Sequence, residues 1–279
     1  MTAVVSELVS YPVKGCAGVA LSESVLTDAG LVHDRSFMVV DGDGRFRSQR
    51  RDPRLAVIRP CVDAGGERLT LRAPGFQDLD VAVDVDAPRQ DVDLFGRSYQ
   101  GIDQGEPPSE WLSSVLGAAS RLVRVPPEHG RVIDGRTPGT SAYADSSPVH
   151  AISLASLNEL NRRVDGASVP MSRFRPNIVI DGWDEPHLED QAHRIVVGDA
   201  ELGYAKLAIR CAVTLVDQQG GCKAGPEPLR TLATYRRAAA GGVAFGAKFS
   251  VLRPGKLAVG DALAVSRWTD SQLNEPLPI

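Results

Sequence analysis

The softest donors in this 279-residue chain are four cysteines, at 16, 61, 211 and 222, and five histidines, at 33, 129, 150, 187 and 193. No two cysteines form a Cys-x-x-Cys pair, and the histidines are scattered without ligand spacing. Neither a structural zinc site nor a clustered iron–sulfur motif is expected. Cys211 stands in Ala208-Ile209-Arg210-Cys211-Ala212-Val213-Thr214. Arg210 is the kind of cationic neighbour that favours a thiolate, the form that binds metal or attacks an electrophile. A buried structural thiol is the other reading, since cysteine is among the most buried residue types. Cys16, Cys61 and Cys222 read as structural or free thiols, with Cys222 in the glycine-rich stretch Gly220-Gly221-Cys222-Lys223.

Cations beside apolar runs are the second chemical signal. Lys14 and Arg35 sit next to β-type segments, and Arg173 and Arg175 in Ser172-Arg173-Phe174-Arg175-Pro176-Asn177 precede an apolar strand. Such groups can form an oxyanion pocket, with arginine able to bind bidentately, or they can be solvated surface charge. Ser153, with Ser156, opens a helix whose N-terminus could favour phosphate or be an ordinary cap. Arg45, Arg47, Arg50, Arg51 and Arg54 read as a solvated hairpin or a docking patch, because the net charge of −4 argues against nucleic acid. No glycine-rich dinucleotide fingerprint, Walker loop, HExxH or GxSxG motif is present.

Short elements must position these residues. The 27 glycines and 19 prolines suggest a β-rich chain. Strands are expected at 3–9, 19–28, 36–41, 55–61, 67–72 and 79–84, with Asp41-Gly42-Asp43-Gly44 as a hairpin turn. A helix fits 109–116, stopped by Gly117. A polar stretch at 127–148 separates the halves and puts the domain boundary near 120–145. Beyond it come a helix at 154–164, strands at 176–180, 194–197, 201–209 and 211–216, a helix at 226–239 opened by Pro226 and Pro228, and strands at 247–252 and 262–266. No apolar run of about 18 residues occurs, and the N-terminus lacks a basic leader, so a cytoplasmic protein without membrane contact is expected.

Several of these stretches, in this order, resemble one family. Tyr11-Pro12-Val13-Lys14-Gly15-Cys16 and Gly30-Leu31-Val32-His33-Asp34-Arg35-Ser36-Phe37-Met38 resemble the β-barrel domain that precedes MOSC domains. Arg173-Phe174-Arg175-Pro176-Asn177-Ile178, Arg210-Cys211 with Thr214 and Asp217, Glu227-Pro228-Leu229-Arg230, and Arg253-Pro254-Gly255 with Val259-Gly260-Asp261 resemble the MOSC domain itself. The resemblance implies a mainly β fold with a few helices (α+β). A MOSC N-terminal β-barrel-like domain would span 1–120, followed by a MOSC β-barrel domain over 121–279. It also implies a molybdenum cofactor (molybdopterin) ligated by Cys211, with cofactor contacts on Lys14, Gly15, Arg35, Ser153, Arg175 and Asn177. Arg210, beside the thiol, is expected among them. The implied activity, similar to that of the amidoxime-reducing component, is reduction of small N-hydroxylated compounds. Electrons would come from a separate ferredoxin- or cytochrome b5-like protein or a reductase. A persulfide-carrying sulfur transferase and a non-catalytic cofactor carrier are the alternatives, and pyridoxal phosphate is not expected.

Overall fold

A computed structural model describes residues 2–275, which are mostly strands with three α-helices. Seven strands close into a barrel. In order around it they are Ala3–Ser10, Ala262–Trp268, Ala192–Val197, Ala200–Arg210, Val243–Arg253, Val149–Ser153 and Ile178–Asp181, and the last pairs back to Ala3–Ser10. Every adjacent pair is antiparallel except Val149–Ser153 with Ile178–Asp181. A parallel pair needs a crossover, and helix α2 (Leu154–Arg163) supplies it. Val5, Leu8, Val149, Ile180, Ile195, Leu202 and Phe249 fill the interior.

The first half builds two further sheets. Arg89–Leu94, Arg97–Asp103, Arg121–Arg124, Phe37–Val40 and Val13–Lys14 form one, and Arg59–Val62, Arg68–Arg72 and Leu79–Ala82 the other. With helix α1 (Glu106–Leu116) they share a core of Val13, Phe37, Leu55, Leu69, Leu112 and Leu122. Gly117 stops α1 at φ 72°, a left-handed cap that costs glycine little. The two halves exchange pieces: strand Ala3–Ser10 belongs to the barrel, and Arg121–Arg124 belongs to the first-half sheet.

Local differences from the sequence expectation have local causes. The strand expected at 211–216 is a 3-10 turn, Ala212–Leu215, because Thr214 donates both its amide and its hydroxyl to the Cys211 carbonyl. The segment 55–61 divides into a turn opened by Pro53 and the strand Arg59–Val62. The helix expected at 226–239 shrinks to α3, Leu229–Tyr235. It stops where Arg236 turns inward to Asp190, and Gly241 and Gly242, both at positive φ, carry the chain into the next strand.

That Arg236–Asp190 contact, 2.5 Å long, joins two side chains that are 5% and 1% exposed. Removing one partner of a buried pair strands the other charge. Arg236→Met is expected to destabilise the fold by about 2–4 kcal/mol in urea denaturation. Burial already pushes the Asp190 carboxyl up to about 7. Its folded value lies above its unfolded one, so its contribution to stability falls as pH rises through neutrality. The variant's deficit should therefore be larger near about pH 8 than near about pH 6.

Candidate functional site

A cavity of about 240 Å³ opens between the first half and the barrel. Its lining contains eight cations, Lys14, Arg35, Arg47, Arg50, Arg175, Lys206, Arg210 and Lys248, against one carboxylate, Asp145. In a chain of net charge −4, this concentration of positive charge marks a site for an anion. Cys211 lies on its wall, exposed, at the end of the strand Ala200–Arg210.

Two barrel strands carry much of the charge. Lys206 and Lys248 are direct cross-strand partners, and Lys248 is paired in turn with His150. Like charges opposite one another destabilise a sheet, so this row has a cost that an anionic ligand would offset. Burial lowers Lys248 to about 7, with Asp145 opposing the shift. Burial also lowers Lys14, which pairs with Asp145. Asp145 itself is held below the usual carboxylate range: burial works against its charge, but Lys14 and Lys248 outweigh burial. His150 is kept neutral by burial first and by Arg210 next, and its Nε2 lies 3.3 Å from the Arg210 guanidinium. Neutral Nε2 can accept there, which leaves the proton on Nδ1. Burial brings Arg210 down to about 10, and its Nη2 donates to the Phe174 carbonyl at 2.8 Å.

Arg35 and Arg175 both adopt left-handed backbone, at φ 48° and 56°, a conformation that costs a non-glycine residue about 1 kcal/mol or more. Their guanidinium carbons lie 4.4 and 4.2 Å from the centroid of the Tyr11 ring. Asp34 and Asn177 accept from Arg35 at 2.5 and 3.1 Å, while the Asn177 amide donates to Asp34 and to the Val9 carbonyl. Arg175 donates to Gln218, which exchanges amide hydrogen bonds with Gln49, and Gln49 donates to the Gly15 carbonyl at 2.6 Å. This chain of contacts ties both halves of the molecule to one wall. Gly15 stands at φ 83°, where a side chain would be strained and would crowd Leu55.

Seven of the eight residues expected as cofactor or metal contacts therefore meet in one cavity: Lys14, Gly15, Arg35, Arg175, Asn177, Arg210 and Cys211, while Arg173 lies outside it and donates to the Thr214 and Glu227 carbonyls. Ser153, the eighth, does not join them. It is fully buried, caps α2 through the Ser156 amide, and donates its hydroxyl to Glu189 at 3.0 Å, so no anion contact is left to it. The basic cluster also needs correction: Arg47 and Arg50 line the cavity, and Arg47 is held by Asp52 and the Ala119 carbonyl. Sequence reasoning missed Lys206, Lys248, Asp145, Gln49 and Tyr11. The available signal was one lysine inside each of two apolar strands, Tyr204-Ala205-Lys206-Leu207 and Gly246-Ala247-Lys248-Phe249.

Tyr11 acts as the spacer between two cations. Tyr11→Leu keeps bulk but removes the ring face, and cation–π contacts are worth about 1–2 kcal/mol when desolvated. The expected result is about tenfold weaker binding of pyrophosphate to the cavity by calorimetry, with the circular dichroism spectrum retained.

Among the described residues no group of three or more His, Cys, Asp or Glu could hold a metal by itself. A metal here would bring most of its ligands with it, and Cys211 is the one thiol on the cavity wall. Ser147 Oγ, Arg47 Nε and Arg210 Nε, all from lining residues, are buried without a hydrogen-bond partner among the described residues. The residues present thus fit an anionic metal complex with a free coordination position: cations for its phosphate, unpaired donors for its polar edges and one thiol for its metal. No helix among the described residues is long and apolar enough to cross a membrane.

The MOSC N-terminal beta barrel domain matches residues 2–119, and the MOSC domain matches residues 138–264. The chain is 36% identical to mitochondrial amidoxime reducing component 2 of Rattus norvegicus, over 92% of this chain and 81% of that protein. It is 34% identical to mitochondrial amidoxime-reducing component 1 of Homo sapiens, again over 92% and 81%. It is 30% identical to the molybdenum cofactor sulfurase of Danio rerio, covering 86% of this chain but 31% of that protein. The two consecutive domain matches and the near full-length relatives establish that this chain belongs to the MOSC-domain family that includes the mitochondrial amidoxime-reducing components.

Proposed function

We propose that this protein is a molybdenum-cofactor oxidoreductase in which Cys211 ligates the metal and the cationic cavity holds the phosphorylated pterin. The observation that carries the reading is a single thiol on the wall of a cavity lined by eight cations and one carboxylate. Lys14, Arg35, Arg175, Lys206 and Lys248 would hold the phosphate end, while Arg210, braced by His150 and Phe174, would neutralise charge beside the thiolate. When bound, the cofactor supplies two-electron oxygen-atom transfer, and the protein supplies binding, orientation and electrostatics.

Its substrates would be small N-hydroxylated compounds: amidoximes, hydroxylamines and N-hydroxylated bases. The N–O bond breaks as two electrons and two protons are taken up, and the N–H compound and water leave. A separate ferredoxin- or cytochrome b5-like protein, or a reductase, would supply the electrons. Relatives named as amidoxime-reducing components support this choice. The test is turnover of one compound from each class by the metal-loaded chain with a chemical reductant. Loss of the N-hydroxy group with appearance of its reduced product is expected. A loaded chain that reduces none of the three overturns the reaction.

A second reading has a specific observation behind it: the likeness to a molybdenum cofactor sulfurase, together with the exposure of Cys211. There Cys211 would carry a persulfide. Mass spectrometry separates the two, since a sulfur adduct on Cys211 without bound molybdenum favours sulfur transfer.

A further inference from the structure

A second, larger cavity of about 690 Å³ lies behind the first. The segment 10–15 is a wall shared by both: Ser10 and Pro12 line the second cavity, and Lys14 and Gly15 line the first. His33 and Arg35 divide in the same way. The second cavity has the opposite character. Its apolar wall includes Leu21, Val25, Val32, Val62 and Leu257. Val25 and Val32 are 41% and 39% exposed, large aliphatic groups that nothing in the described chain covers.

Its charged residues are Glu23, Asp63, Asp199 and Asp261 against Lys256, with burial keeping His33 from adding positive charge. Asp63 and Asp261 are committed to backbone amides of Glu67, Arg68 and Ala258. Glu23 and Asp199 have no side-chain partner among the described residues, and both are exposed. They flank one strand, Gly255–Ala258: Glu23 pairs with Ala258, and the Asp199 amide donates to the Lys256 carbonyl. The strand therefore runs between them, and the two carboxylates stand on opposite flanks of it. A separate observation points to a ligand. Ser10 is 4% exposed, lines this cavity and has a hydroxyl with no hydrogen-bond partner among the described residues. Buried hydroxyls are normally satisfied, and an unpaired one costs stability.

We infer that this cavity is a second binding site, for a small organic amine whose protonated nitrogen is drawn to the acidic lining that Glu23 and Asp199 supply while its apolar body covers Val25 and Val32. The volume is within the usual range for a small-molecule site. Binding here needs neither a metal nor the proposed reaction, so it stands or falls apart from them.

Calorimetry on the full chain tests it with three probes of equal length: octylamine, octanol and octanoate. Octylamine should saturate below about 1 mM, and octanoate should bind at least about tenfold more weakly. Glu23→Gln combined with Asp199→Asn should weaken octylamine about tenfold and leave octanol unchanged. Val25→Trp, which fills the apolar wall from an exposed position, should abolish binding of octylamine and octanol. Octanoate binding as tightly as octylamine overturns the proposal. So does the absence of octylamine saturation by about 10 mM, or a double variant with unchanged octylamine affinity.

Discussion

Cys211→Ala is expected to lower turnover of N-hydroxylated substrates by at least about a thousandfold while leaving stability within about 0.5 kcal/mol of wild type. The two halves of that prediction rest on different observations. Cys211 is exposed, and the turn that follows it is closed through its backbone carbonyl, which alanine retains. Nothing in the fold therefore depends on the sulfur. A metal complex in this cavity does, because no cluster of other protein ligands is present among the described residues to replace the thiol. Cys16→Ala is the converse control. Cys16 is fully buried in the first-half core, and burial pushes its thiol up to about 12, so it is not an available thiolate. Its replacement should cost about 1–2 kcal/mol of stability and leave the metal content unchanged. Stopped assays with metal analysis and urea titrations of both variants give the four numbers needed.

Lys248→Met should move function and stability in opposite directions. Lys248 faces Lys206 across paired strands, inside a cavity already crowded with cations. Methionine fills similar space without the charge, so the variant should gain about 1–2 kcal/mol of stability at neutral pH. Cofactor retention should fall about tenfold or more, since a phosphate partner is lost. The pH dependence gives an independent check on sign. Lys248 has a folded value of about 7, below the ordinary range that an unfolded lysine keeps. Between those values the unfolded chain binds more protons, so stability rises with pH across the window and declines toward neutrality. That slope should flatten in Lys248→Met. Pyrophosphate binding runs the other way: it should weaken in wild type from about pH 6 to about pH 8.5, as Lys248 loses its charge, and the variant should lack that trend.

The fold was legible where a single period or a turn residue decides it. Strand Ala3–Ser10 falls where the β-type run predicts it, its alternation of buried positions broken by a bulge between Val5 and Glu7, and Gly117 and Ser153 mark helix ends in the structure as they do in the chain. Strands such as Arg89–Leu94 were not legible. With two of six residues buried it reads as polar loop, and only pairing with Arg97–Asp103 makes it β. The exchange of strands between halves was also hidden, because Ala3–Ser10 is completed by partners more than 170 residues away, such as Asp181. For the site, resemblance located the motif residues. It could not locate Lys206, Lys248 or Asp145, whose roles come from barrel register and from a loop folded back over the cavity. Ser153 shows the reverse error. A serine at a helix N-terminus is chemically suited to phosphate, yet here Glu189, a residue 36 positions away, has taken its proton donor.

Cys211 and the cationic cavity, on the proposed reading, together hold a molybdenum cofactor. Metal and pterin analysis of the full chain, expressed in a cofactor-proficient host, tests it most directly alongside Cys211→Ala. About one molybdenum and one pterin per wild-type chain are expected, with the metal lost from the variant. Wild-type protein without molybdenum, or a variant that keeps it, would rule out Cys211 as the metal's ligand in this cavity.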